Sequence, residues 1–502
     1  EEEDVDFEKL EHIIQLLLES LKDEDNVVRW TSAKGLGRIT QRLTKDFADQ
    51  VVEQLPELFK ETETDSSWHG GCLALAELCR RGLLLPERLE GYVKVLDKAL
   101  IYDVNRGTHT VGSHVRDAAC YAVWSFARAY SPEIMKPHVH TLSTKLIIVS
   151  LFDREVNCRR AASATFQECV GRQGNFPHGI EILTEADYFT LSHRTNAYLN
   201  VSTFVGQFPE YLESMLEHLA FVKLQHPDLA IRMLAAQALS VLSVFNPKLV
   251  VEKILAPLTE KCLSKALHIR HGAILGVSEI VIGLGGNSVS NRKETLEKAW
   301  ISLSLKERKL IKDSENQAKF KELFEKTSSQ NYLNEVLPEG SEMLNNVITI
   351  IQRVEKERLY KGKGGEIMRG GVCHLIHALA TSKLKLDDSV LHQLVKTLIE
   401  NFKHPNPEIQ DEATKAFKTF CFAYLNDGSP SLAASSPIIL AIKKLFDPSM
   451  NDMNIAITRG YNMAFGVMTQ ALILFFGKLV TETVLANCVP KNRESDDAES
   501  RR

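Results

Sequence analysis

The chain has 502 residues, of which 44% are hydrophobic and 25% charged, and its formal net charge is −5. This length exceeds what one hydrophobic core serves, so several domains or an array of repeats are expected. The net negative charge argues against a broad nucleic-acid-binding face, which is usually basic. The nine cysteines are scattered singly, which indicates buried thiols in a reducing compartment rather than a disulfide framework.

Helical periodicity begins near the start of the chain. The acidic opening, Glu1–Asp4, has none of the positive charge of a signal peptide. Phe7 to Leu21 then places apolar residues at helical spacing, and Asp23–Asn26 supplies turn and capping chemistry before a second helix. We expect that second helix to bury Val28, Ala33, Leu36 and Ile39. No stretch alternates with period two, so sheet content is expected to be negligible.

A short pattern recurs along the chain and predicts helical repeats. In each copy a cation or polar residue, here called the anchor, precedes small residues and an apolar helix; the anchors are Arg29, His69, Arg116, Arg159, Arg232, Arg270, Arg369, Gln410 and Arg459. Most steps between anchors are 38 to 49 residues, close to the HEAT/armadillo period of about 40–47. Since small residues let helices approach closely, we expect six alanines to be buried between helices: Ala118, Ala119, Ala161, Ala162, Ala235 and Ala236. The pattern predicts an all-α, HEAT/armadillo-like solenoid, which is an α-α superhelix.

Two longer steps, of 73 and 99 residues, require extra chain. The stretch from Gly171 to Ala186 is loop-like, and residues 285–340 read as a charged helical insertion or flexible arm. The predicted layout is a first solenoid part at 1–284, the insertion at 285–340, a second solenoid part at 341–489 and a disordered tail at 490–502. The uncharged run from Gly460 to Gly477 is interpreted as a buried repeat helix and the start of the next, rather than a membrane span.

Signals for catalysis are weak. Gly35–Gly37 and Gly362–Gly365 are glycine-rich, but neither completes a phosphate-binding fingerprint. Cys373, His374 and His377 lie on one predicted helix without converging, so core residues are favoured over a metal site. We therefore predict no catalytic, cofactor or metal site, and an enzyme is disfavoured for lack of converging groups.

Protein binding is the expected activity of such a chain. The anchor arginines are interpreted as structural, each spanning to an acid or carbonyl of the next repeat, with an interface ladder as the alternative. Two segments between repeats are favoured as contacts, because repeat proteins place specificity in such loops. In the first, the candidates are Arg106, His109 and His114; in the second, they are Arg172, Gln173, Asn175, Phe176 and His178. Phe176 is either an exposed contact or a side chain that folds back on its own repeat.

Several long strings resemble the family of tubulin-folding cofactor D, also called tubulin-specific chaperone D. They are Asp6–Ile14, Trp68–Leu78, Val115–Tyr121, Asn157–Ala164, Gly171–Gly174 and Phe176–Gly179. The likeness is dense from Asp4 to Ile280 and returns at Leu359–Gly362 and Met368–Arg369. The resemblance implies that this chain corresponds to the central HEAT-repeat region of longer proteins.

The resemblance also implies a non-enzymatic chaperone that binds β-tubulin. Family members work with cofactors E and C and a small Arf-like GTPase to assemble and take apart the αβ-tubulin heterodimer. It therefore implies these partners, a link to GTPase activation, and a cytoplasmic, cytoskeleton-associated location that includes the centrosome, with no nucleic acid and no transmembrane segment. The alternative is a generic HEAT-repeat scaffold or a transport receptor for another client. A transport receptor would be expected to carry an acidic inner ladder, and the mixed charge shows no such run.

Overall fold

The computed structural model describes residues 7–107, 109–287, 324–325, 328–359, 364–425, 433–446 and 455–488. Described residues up to His218 form one compact unit, and those from Leu219 onward form a second. Nearly all of the regular structure in these ranges is helical, so the predicted all-α repeat fold is confirmed. The domain limits drawn from the sequence stay predictions.

The first unit is a succession of helices with one small hairpin. Its α-helices are α1 Phe7–Ser20, α2 Asn26–Thr40, α3 Lys45–Gln54, α4 Asp65–Arg80, α5 Leu89–Ala99, α6 Ser113–Ala129, α7 Pro132–Met135, α8 Val139–Phe152, α9 Val156–Gln173, α10 Gly179–Glu185, α11 Arg194–Asn196, α12 Ser202–Gly206 and α13 Pro209–Phe221, the last of which runs into the second unit. Short 3-10 or π turns lie at Leu55–Phe59, Pro86–Arg88, Lys136–His138 and Ala197–Val201.

The second unit continues the same way. Its α-helices are α14 Leu229–Leu242, α15 Pro247–Leu249, α16 Ala256–Lys261, α17 Leu267–Leu284, α18 Leu333–Val336, α19 Glu342–Ile348, α20 Ile350–Lys356, α21 Gly365–Thr381, α22 Asp388–Phe402, α23 Pro407–Tyr424, α24 Pro437–Lys443, α25 Ile455–Phe465, α26 Gln470–Phe476 and α27 Lys478–Cys488. Its short 3-10 or π turns are Lys223–Gln225, Ser243–Phe245, Val250–Leu255 and Lys444–Phe446.

Each anchor is the fourth or fifth residue of a helix, and these helices pack on one another in chain order. In the first unit α2 contacts α4, α4 contacts α6, and α6 contacts α9. In the second unit α14 contacts α17, then α21, α23 and α25 follow in turn. The small residues after the anchors lie in these contacts, because Ala118, Ala119, Ala162, Ala235 and Ala236 are buried. Ala161 is partly exposed, so that one expectation is wrong.

The segment Asn105–His114, predicted as a loop, is mostly a β-hairpin. Strand β1, Val104–Arg106, pairs antiparallel with β2, His109–Val111, and Asn105 lies opposite Thr110. Strands of three residues are too short to show a period-two pattern, so they could not be predicted from the sequence.

Two further expectations change. The stretch Gly171–Ala186 is not a long loop, because α9 continues to Gln173 and α10 begins at Gly179. Val28 is 36% exposed rather than buried, since it lies on the outer side of the first turn of α2. Most of the predicted 285–340 arm, from 288 to 323, and the 490–502 tail lie outside the described residues.

The apolar helices differ in how far they are buried. Gly460 to Gly477 contains the second half of α25, where Gly460 and Tyr461 are buried, and the whole of α26. Burial is confirmed for α25, whereas Ile473, Leu474 and Phe475 of α26 are exposed. Among the described residues one helix, α17, is long and apolar enough to cross a membrane, and 83% of it is buried within the protein. Contacts with neighbouring helices explain its composition.

Candidate protein interface

Seven of the nine anchors are buried at the starts of the packed helices and form a polar layer, while Arg369 and Arg459 are half-buried. The Arg29 Nε donates to His69 Nδ1 at 2.8 Å, and its Nη1 donates to the carbonyls of Asp23 and Glu24. Burial, followed by the charge of Arg29, lowers the pKa of His69 to about 3. His69 is therefore neutral and can accept this hydrogen bond.

The same arrangement recurs in the second unit. Arg232 Nε donates to His271 Nδ1 at 3.3 Å, and its Nη1 donates to the carbonyls of His226 and Pro227. Burial lowers the pKa of His271 to about 3 as well. Arg270, the residue singled out as the anchor of this repeat, instead donates to carbonyls of its own preceding turn. His271 thus makes the contact between repeats.

Two more arginines complete the layer. Arg116 donates to both carboxylate oxygens of Asp153, at 2.5 and 3.0 Å, and to the carbonyl of Tyr102. Arg159 donates to four backbone carbonyls, including those of Leu191 and Ser192. The expected span to an acid or carbonyl of the next repeat is confirmed for Arg116 and Arg159, whose buried donors are satisfied. It is wrong for Arg29 and Arg232, which reach a histidine, and for Arg270, which bonds only its own preceding turn.

A different set of side chains lies along α2, α4, α6 and α9, and all of them except the buried Glu77 reach solvent at least in part. We call it the aromatic–arginine ridge and define it by Trp30, Lys34, Glu77, Arg80, Tyr121, Trp124, Arg128, Glu168 and Arg172. The Tyr121 ring lies 5.8 Å from Trp30 and 5.9 Å from Trp124. Arg128 stacks over Trp124 at 4.6 Å, and Lys34 lies over Trp30 at 5.5 Å. The ridge therefore presents three aromatic rings, two of them covered by cations.

Hydrogen bonds hold the ridge in place. The Tyr121 hydroxyl donates to Glu77 at 2.9 Å and accepts from Arg80 at 3.0 Å. Glu168 accepts from Arg128 at 3.1 Å and from Arg172 at 2.5 Å. These bonds join α4, α6 and α9 and restrain long side chains, while Trp30 of α2 adds the ring contact with Tyr121.

Sequence reasoning found only Arg172 of this ridge. The signal was present, since Tyr121, Trp124 and Arg128 follow one another at three and four residues on one face of α6. It was missed because contacts were sought only in the segments between repeats and not on the helix faces.

The hairpin candidates lie against the start of α4. Arg106 is exposed and forms an ion pair with Asp65 at 2.9 Å. His114 is half-buried, with Nε2 3.2 Å from Asp65 and its ring edge-on to His69. Burial, partly offset by Asp65, lowers the pKa of His114. His109 pairs with Arg106 through the backbone; its side chain lies outside the described atoms.

The second candidate segment divides into buried and exposed residues. Phe176 is buried edge-to-face on Phe166 at 5.6 Å, and Gln173 is buried with its amide donating to the carbonyls of Ala127 and Tyr130. The expectation that both are exposed is wrong, because α9 extends to Gln173 and the chain then folds back over the helix. Of the two alternatives for Phe176, the structure shows the one in which the side chain folds back on its own repeat.

Three candidates of that segment do reach solvent: Arg172, Asn175 and, in part, His178. His178 adopts a left-handed conformation with φ 50°, and its ring stacks on Phe208 at 4.0 Å. Its ring nitrogens also lie near Glu181 and Glu210, at 2.9 and 3.6 Å.

The cysteines and histidines of the chain are used in packing. Eight cysteines are buried and unbridged, as expected: Cys72, Cys79, Cys120, Cys158, Cys169, Cys262, Cys373 and Cys421. The Cys373 sulfur accepts from Asn401, while His374 pairs with Glu279 and His377 with Thr419. Within the described ranges no three His, Cys, Asp or Glu side chains are grouped to hold a metal.

The chain is similar to known proteins over most of its length. Residues 1–180 match the family described as tubulin-specific chaperone D-like, ARM repeats. Tubulin-specific chaperone D of Dictyostelium discoideum is 39% identical over 378 residues, which cover 74% of this chain and 22% of that protein. Tubulin-folding cofactor D of Schizosaccharomyces pombe is 34% identical over 257 residues, covering 48% and 23%. The resemblance stated from the sequence is confirmed, and the chain spans less than a quarter of these relatives.

Solved structures with similar chains include karyopherin Kap121p bound to the extreme C-terminus of the protein phosphatase Cdc14p. That match has 14% identity and a TM-score of 0.28, and it covers 99% of this chain and 55% of the karyopherin. Kap121p bound to the SUMO protease Ulp1p gives 14% identity and a TM-score of 0.29, with 97% and 51% covered.

Proposed function

We propose that this chain is the part of a tubulin chaperone that holds β-tubulin, and that it does so without catalysis. The observation that carries the proposal is the 39% identity, over 378 residues, to a protein named tubulin-specific chaperone D. In the proposed role the chain works with cofactors E and C and a small Arf-like GTPase in assembling and dismantling the αβ-tubulin heterodimer. Its place would be the cytoplasm, in association with the cytoskeleton.

We propose the aromatic–arginine ridge as the main tubulin contact. Tryptophan, tyrosine and arginine are the residue types that dominate interface hot spots, because they bury much surface with few rotatable bonds. The bonds of Glu77 and Glu168 restrain the ridge before any partner arrives, which lowers the entropy lost on binding.

The charge of the ridge indicates the surface that it fits. Its four cations, Lys34, Arg80, Arg128 and Arg172, exceed its two carboxylates, Glu77 and Glu168. A complementary partner surface is therefore acidic around an apolar centre. Arg106, His109, His114, Asn175 and His178 stay candidate contacts at the edges of this surface, all in the first unit.

Binding of β-tubulin to the wild-type chain and to ridge variants tests the proposal. Trp124→Ala and Arg128→Ala should each weaken binding by about 10- to 100-fold, as expected for hot-spot residues. The matched control is Lys94→Ala, which removes an exposed cation of α5 that pairs only with its neighbour Glu90, and it should leave affinity unchanged. If the wild-type chain does not bind β-tubulin, the function proposed for this chain is wrong. If it binds and the ridge variants bind equally well, the ridge is the wrong surface.

A further inference from the structure

A groove of about 430 Å³ lies in the second unit, over the four helices that pack in the order α14, α17, α21 and α23. It is separate from the ridge, which belongs to the first unit. Its lining is therefore not used by the function proposed above.

One part of the lining, which we call the floor, is apolar and open to solvent. Leu229, Met233 and Ile367 line it and are 42%, 49% and 37% exposed. Gly370 also lines it, and a Cβ added there would meet nothing within 4 Å. Large apolar side chains exposed together around a concave surface are typical of binding sites rather than of ordinary protein surface.

The walls of the groove are acidic. Five carboxylates line it, namely Glu279, Glu366, Glu408, Asp411 and Glu412. The one lysine of the lining, Lys415, forms an ion pair with Glu412 at 2.7 Å, and His374 does the same with Glu279 at 3.0 Å. Glu366, Glu408 and Asp411 stand at the exposed rim, so the groove keeps a net negative charge after these pairs are counted.

We propose that this groove binds a basic amphipathic helix of a partner protein, with the apolar face of the helix on the floor and lysine or arginine side chains against the rim carboxylates. A neutral apolar ligand would leave the rim acids without partners, and an acidic one would be repelled by them. A small cation would leave the apolar floor uncovered. An amphipathic helix contacts both the apolar floor and the rim carboxylates, because its apolar residues recur every three and four positions on one face and its basic residues lie beside them.

The test uses synthetic peptides as probes and the whole chain as receptor. An 18-residue peptide of leucine and lysine, with the leucines on one helical face, should bind saturably in isothermal titration calorimetry at physiological salt. The same peptide with glutamate for lysine, and a lysine–serine peptide without leucine, should not bind. Equal binding of the lysine–serine peptide would overturn the proposal, because it would show charge attraction alone.

Variants locate the binding on the chain. The double reversal Glu408→Lys with Asp411→Lys should weaken the leucine–lysine peptide by at least about 10-fold, since two charge contacts become repulsive. Gly370→Phe fills the groove without changing charge and should weaken binding as strongly. The control, Glu342→Lys with Glu357→Lys, reverses two exposed acids of the same unit that do not line the groove.

A control reversal that costs as much as the groove reversal would refute the proposal, as would full binding to the Gly370→Phe variant. Far-UV circular dichroism of each variant checks that the fold is kept. The outcome is independent of the tubulin proposal, because the groove variants leave the ridge intact. Loss of peptide binding with retained β-tubulin binding would establish two separate surfaces.

Discussion

A single methyl group at Gly70 should destabilise the first unit, although it improves helix propensity. Gly70 directly follows the anchor His69 in α4, and a Cβ there would lie 1.9 Å from the carbonyl oxygen of Leu21 at the end of α1. That oxygen belongs to the backbone and cannot rotate away, so the helices must separate. Overpacking of this kind costs about 1–3 kcal/mol, and the gain of alanine over glycine in a helix returns only about 0.5–1 kcal/mol.

The expected net loss for Gly70→Ala is therefore about 1–2 kcal/mol, which lowers the unfolding midpoint of a unit of this size by about 2–8 °C. Gly91→Ala is the matched control, because Gly91 lies within α5 and an added Cβ meets nothing within 4 Å. That variant should raise the midpoint slightly. Thermal unfolding followed by circular dichroism at 222 nm measures both. A Gly70→Ala chain as stable as wild type would show that the helix contact is looser than described.

Three other predictions concern buried side chains. Phe176→Ala should destabilise the chain by about 3–5 kcal/mol, as for other buried aromatics, and leave β-tubulin affinity unchanged in the same binding assay. Asp153→Ala should cost about 3–5 kcal/mol in urea unfolding, because it removes the carboxylate that accepts two hydrogen bonds from the buried Arg116 and leaves the more distant Asp103, at 3.7 Å, as the nearby acid. The pKa of His69 and of His271 lies near 3 in the fold, below the ordinary value of about 6.5. The unfolded chain then binds protons that the native chain does not bind, so the free energy of unfolding should fall as the pH drops below about 6.5, by up to ~1.4 kcal/mol per pH unit for each histidine. His69→Gln should reduce this pH dependence of the free energy of unfolding. An unchanged pH dependence in this variant would contradict the low pKa of His69.

The repeat pattern predicted the fold because it reflects packing directly. A cation followed by small residues marks the first turns of a helix that must approach its neighbour, and each anchor falls at the fourth or fifth helical position. The pattern placed the anchor of one repeat at Arg270, one residue before the residue that makes the contact between repeats. Arg270 and His271 are adjacent polar residues, and only the distance from Arg232 to the His271 ring distinguishes the contact residue from its neighbour.

The candidate contacts were less predictable, because exposure in a short connection depends on where the flanking helix ends. Phe176 lies among glycine, proline and polar residues, which resembles an exposed loop. The structure continues α9 to Gln173, so Phe176 returns onto Phe166 of the same helix. Whether Phe176 is an interface residue or a core residue depends on one extra turn of α9. The ends of helices are the part of a helix that a sequence pattern predicts least reliably.

The anchors also explain which residues can form a binding surface. On α2, α6, α9, α14, α21 and α23 the residues one and five positions after the anchor are at least partly exposed, because they share a side of the helix that differs from the side of the anchor. The groove follows this rule on three helices, through Met233 and Gln237, Gly370 and His374, and Asp411 and Lys415. On α17, by contrast, the lining residues His271, Leu275 and Glu279 are buried. The ridge follows it at Trp30 and Lys34 on α2 and at Tyr121 on α6. Because the rule needs only the anchor positions, the cationic, aromatic surface of the first unit and the acidic surface of the second were both present in the sequence. The whole-chain charge of −5 concealed them, since it averages two surfaces of opposite sign.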